Sequence, residues 1–70
     1  MSAKEMFKKL GYEERTINDS MFATKSYIQT SSRNIIYFDY DKRIDVGKCF
    51  ITLELLQAIN QQVKELGWYE

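Results

Sequence analysis

The amino-acid sequence predicts one small α+β domain over residues 1–70: a helix, a three-stranded antiparallel meander and a second helix, with both helices on one face of the sheet. Three observations lead there. Apolar residues recur at spacings of three and four near both ends of the chain, which is the helical period. The middle of the chain changes to a period of two, the mark of half-buried strands. Each helical pattern also stops at a glycine, Gly11 or Gly67.

The first helix begins after Ser2. Ser2 and Glu5 have the S-x-x-E spacing in which two side chains satisfy each other's free amides at a helix start. Ala3, Met6, Phe7 and Leu10 then share one face, and Gly11 ends the helix by accepting a left-handed backbone. The polar stretch from Glu13 to Ser20 reads as a connector with room for a short extra strand. Three strands follow, Phe22 to Thr30, Asn34 to Tyr40 and Arg43 to Lys48, separated by turns at Ser31–Arg33 and Asp41–Lys42. Thr52 is the expected cap of the second helix, with Glu54 near the positive end of its dipole and Ile51 and Leu56 spaced as a hydrophobic staple. Leu56, Ile59, Val63 and Leu66 form its apolar stripe, widened by Leu53, Leu55 and Ala58. In Leu10-Gly11-Tyr12 and Leu66-Gly67-Trp68, the aromatic residue after the glycine is expected to pack back on Phe7 and on Val63.

A three-stranded sheet needs one covered face, and two amphipathic helices need something to cover. Ile36, Phe38, Ile44 and Val46 are therefore expected to point inward, with Phe22 and Ile28 from the first strand. Alternation then sends Ile35, Tyr37 and Tyr27 to the outer face, where they form a candidate partner-binding patch.

Composition limits what such a domain can do. Apolar residues make up 44% of the chain and aromatic residues 14%, enough for a folded core. Ten basic residues balance ten acidic ones, so no global field draws in nucleic acid or an anionic membrane. No run of 18 apolar residues is present, and the first ten residues lack a signal peptide's apolar stretch. A lone cysteine, Cys49, cannot form an internal disulfide, so the expected setting is a reducing cytoplasm.

Catalytic machinery is hard to assemble from these residues. The chain has no histidine, which removes the commonest general base and the commonest catalytic metal ligand. Cys49 reads as a small core residue rather than a nucleophile. Asp39, Asp41 and Asp45 flank the second hairpin, but their spacing matches no cation-binding loop, and aspartate is favoured in turns for its own sake. Neither catalytic residues nor cofactor or metal sites are therefore expected.

The segments KEMFKKLGY, IIYFDYDKRI and ELLQAINQQVKELGW resemble small uncharacterised proteins encoded by phages and prophages of Gram-positive bacteria. That resemblance implies an accessory gene product in a bacterial cytoplasm and assigns no role to any residue. The functional expectation is a non-enzymatic module that binds a host or phage protein, with a homodimer through the outer sheet face as a second possibility. The alternative is a nucleic-acid-binding accessory protein using surface lysines and exposed tyrosines.

Overall fold

The computed structural model describes residues 1–15 and 23–69. Its element order is α1 (Ala3–Lys9), β1 (Tyr12–Glu14), β2 (Ala23–Gln29), β3 (Ile35–Asp39), β4 (Ile44–Asp45) and α2 (Leu53–Glu65). The α+β class is as expected, but the antiparallel sheet has four strands, in the order β1-β2-β3-β4. The added strand is the start of the segment read as a connector. Tyr12, Glu13 and Glu14 pair with Gln29, Ile28 and Tyr27, and the Arg15 amide extends the ladder to the Ser26 carbonyl. No described helix is long and apolar enough to cross a membrane.

Local capping chemistry sets both helices. Ser2 and Glu5 form the reciprocal capping box at α1, and the Ser2 amide holds the Glu5 carboxyl below its usual pKa. Thr52 caps α2 by accepting from the Leu55 amide. At the other end of α2, Gly67 adopts a φ of 74°, and the Trp68 amide reaches the Val63 carbonyl at 3.2 Å, the long bond of a Schellman ending. The Trp68 ring itself lies edge-on to Phe38, 6.1 Å between centroids. The ring after Gly11, Tyr12, packs on Phe7 at 5.8 Å as expected.

Strand pairing places Tyr27 opposite Ile36, and Ile28 opposite Ile35. Residues directly opposite on paired strands share a face. Tyr27 therefore lies on the inner face with Ile36 and Phe38, all three fully buried. This corrects the expectation that Tyr27 belongs to the outer patch and Ile28 to the core. The two are adjacent apolar residues, so one must point each way, and the contacts made by Tyr27 decide which. Its ring stacks on Phe7 of α1 at 4.0 Å, and its hydroxyl donates to Gln62 Oε1 of α2. Phe22, the other expected inward residue of that strand, lies outside the described residues. Ile44, directly opposite Phe38, and Val46 pack against the core as expected, half-buried.

The helices pack antiparallel, since the Ala3 amide at the start of α1 donates to Glu65 Oε2 at the end of α2, 2.7 Å away. The buried face of α2 is Leu55, Ala58, Ile59, Gln62 and Val63. This stripe is rotated from the expected one: Leu55 is buried, whereas Leu53 and Leu56 face solvent.

Two stability predictions follow from the buried pair. Tyr27→Phe should leave Gln62 with an unsatisfied buried carbonyl and cost about 1–3 kcal/mol in urea unfolding. Tyr27→Lys should prevent folding, whereas Tyr37→Lys on the opposite face should leave the circular dichroism spectrum unchanged; tolerance of both lysines would reject the inner placement of Tyr27.

Candidate binding surfaces

The outer face of the sheet carries Ile28, Ile35 and Tyr37, each half-buried. Ile35 and Tyr37 thus stand where the sequence places them, without Tyr27. They line a shallow groove together with Arg33, Asp45, Gly47 and Lys48.

Asn34 organises the end of that groove. Its side-chain amide donates to the Val46 carbonyl at 2.9 Å and to the Tyr12 hydroxyl at 3.3 Å. Its Oδ1 accepts from the Lys48 amide at 2.8 Å. One side chain therefore ties the β2–β3 turn to the loop between β4 and α2. Gly47 is required there twice over, because its φ is 72° and a Cβ would sit 2.3 Å from Asn34 Oδ1. Arg33, in the β2–β3 turn, also holds a left-handed backbone, with φ 62°. Arg33 and Lys48 are exposed, and among the described residues neither has a carboxylate within ion-pairing distance.

The other surface was not anticipated from the sequence. Phe50 is 94% exposed, and Ile51, Leu53 and Leu56 beside it are all more than half exposed. Ile51 and Leu56 hold the positions of a staple about the cap Thr52, and Leu53 and Leu56 lie three apart on the outward side of α2. Phe50, Ile51 and Leu53 are near neighbours along the chain, and Leu56 follows about one helical turn after Leu53. A depression lined by Leu10, Tyr12, Cys49, Phe50 and Leu55 adjoins it. The sequence signal was available in the run Phe50-Ile51-Thr52-Leu53, four positions with more apolar residues than one helix start can bury.

Cys49 sits between the two surfaces, half-buried. Its thiol donates to the Val46 carbonyl at 3.3 Å and accepts from the Tyr12 hydroxyl at 3.7 Å. Burial pushes the Tyr12 phenol above its ordinary pKa, and burial does the same, more strongly, to Tyr27.

The three aspartates are engaged by their own turns. Asp39 Oδ1 accepts from the amides of Asp41 and Arg43, and Oδ2 from the Arg43 guanidinium. Asp41 meets the same guanidinium at 3.3 Å, and Asp45 accepts from the Gly47 amide. Among the described residues no group of three potential metal-ligating side chains converges.

In comparisons with known proteins, no family model, no curated protein and no solved structure matches this chain.

The Asp39 turn is sensitive to acid. The Arg43 amide, with the Asp41 amide and the Arg43 guanidinium, holds the Asp39 carboxyl below its usual value. A group whose folded pKa is depressed stabilises the fold above its unfolded pKa, and that contribution disappears as pH falls through the folded value. Unfolding midpoints measured below about pH 4 should therefore fall with pH in the wild type and fall less steeply in Asp39→Asn; identical slopes would reject the assignment.

Proposed function

We propose that this protein is a non-catalytic protein-binding module whose main docking surface is the apolar patch at the start of α2. The observation carrying this reading is the near-complete exposure of Phe50 beside exposed Ile51, Leu53 and Leu56. Scattered apolar side chains on a surface need no explanation, but a contiguous patch rimmed by polar residues marks an interaction site. The magnitudes point the same way. Burying a phenylalanine of this kind contributes about 1.5–3 kcal/mol, whereas an exposed ion pair contributes about 0–1 kcal/mol. The apolar side chains of the patch therefore supply the affinity.

The resemblance to phage-encoded proteins supports a host or phage protein as the partner, in a bacterial cytoplasm. The nucleic-acid alternative loses support with Tyr27 inside the core, since Tyr37 is then the one tyrosine in the groove available to stack a base.

Capture from a Gram-positive bacterial lysate, with mass spectrometry as readout, tests the proposal. The double variant Phe50→Ser, Leu53→Lys should match the wild type in stability to within about 0.5 kcal/mol, because both side chains are exposed. It should also lose the captured partner. A partner retained by the double variant, or no reproducible partner for the wild type, would reject the patch as the docking surface.

A further inference from the structure

The groove on the outer face of the sheet has a chemistry of its own. Ile35 and Tyr37 form an apolar floor, and Arg33 and Lys48 both line the groove. Asp45 lines it as well, with one oxygen already taken by the Gly47 amide. Two cations thus stand against one carboxylate, in a protein whose net charge is zero.

The backbone that carries both cations is held in place. Asn34 fixes the Lys48 amide, and the same side chain anchors the loop through Val46. Arg33 is presented from a turn closed by its own amide on the Gln29 carbonyl at 2.7 Å, with the Ser32 hydroxyl accepting from the Asn34 amide. A turn and a loop that are already fixed lose less entropy when a partner docks, so the positions from which the two cations extend are set before a counter-charge arrives.

We infer that this groove binds an acidic, apolar peptide segment of a partner protein. A Leu or Phe side chain of the segment lies over Ile35 and Tyr37, and a neighbouring Asp or Glu carboxylate is received by Arg33 and Lys48. Charge complementarity selects this occupant over a basic one, which would meet two cations, and over a purely apolar one, which would leave both cations without a counter-ion. The groove differs from the Phe50 patch, so each can fail without the other.

The test is a peptide array of randomised dodecamers probed with the purified full-length protein, followed by fluorescence anisotropy on the best peptides. Wild type should enrich sequences with Asp or Glu next to Leu or Phe, and their affinity should fall with added salt. Arg33→Gly with Lys48→Gln removes both charges, and glycine suits the left-handed backbone at position 33. This pair should weaken those peptides roughly tenfold, as expected for losing two partly exposed ion pairs. Tyr37→Lys should abolish binding, and Phe50→Ser should leave it unchanged. Absence of acidic enrichment, binding indifferent to the Arg33 and Lys48 changes, or tighter binding of a poly-dT oligonucleotide with the same residue dependence would each overturn the inference. Loss of binding in Phe50→Ser but not in Tyr37→Lys would assign the peptides to the patch and also overturn it.

Discussion

Tyr27 is the residue around which this small fold closes. A sheet with two helices on one side must keep both in register with it, and a single side chain on the second strand contacts both helices. The ring stacks on Phe7 of the first helix, while the hydroxyl reaches Gln62 of the second. Phe38 stands edge-on to both Phe7 and Tyr27, completing an aromatic cluster at the centre. A hydroxyl and an amide in such a place would be costly alone, but each satisfies the other, and among the described residues no buried side-chain polar atom is left without a partner. The pair also fixes orientation. An all-apolar contact would tolerate a helix rotated by some tens of degrees, whereas a buried hydrogen bond accepts a narrow range.

This constraint accounts for what the surface shows. With Gln62 drawn inward, the buried stripe of α2 runs through Leu55, Ala58, Ile59 and Val63, and the first turn presents Leu53 and Leu56 to solvent. With Tyr27 drawn inward, Ile28 is displaced to the outer face beside Ile35. Both exposed apolar regions are therefore by-products of one interior arrangement. The loop between β4 and α2 runs from one to the other, carrying Lys48 at the groove and Phe50 at the patch, and Asn34 holds its base.

The parts of the fold that were legible in the sequence are those set by neighbours along the chain. Both caps, both glycine stops and the packing of Tyr12 on Phe7 depend on residues within five positions of one another, so the letters suffice. Ile36 and Phe38 were legible as well, because a run as apolar as Asn34 to Tyr40 leaves few choices once a core is required. Long-range choices were not. Tyr27-Ile28 is an adjacent apolar pair in a strand, where alternation says only that the two part company, and Leu55-Leu56 is such a pair on a helix, where either can stand at the centre of the buried stripe. Which one goes inward depends on Phe7, Gln62 and the opposing strand, and on an irregular register between Ala23 and Lys25 that breaks the simple count. Of the candidate site, parity places Ile35 and Tyr37, and the Phe50 patch escapes a sequence reading because the helical period puts Leu53 and Leu56 in the buried stripe.

The strands at the rims of the sheet are very short, three residues in β1 and two in β4. Beyond β4 the chain turns away at once through Gly47. Among the described residues a neighbouring molecule thus finds little regular strand along which to extend the sheet, and such extension is the usual route from sticky side chains to irreversible fibres. With so short an edge to pair, the exposed ring of Phe50 is met through side chains rather than through a shared ladder of main-chain bonds.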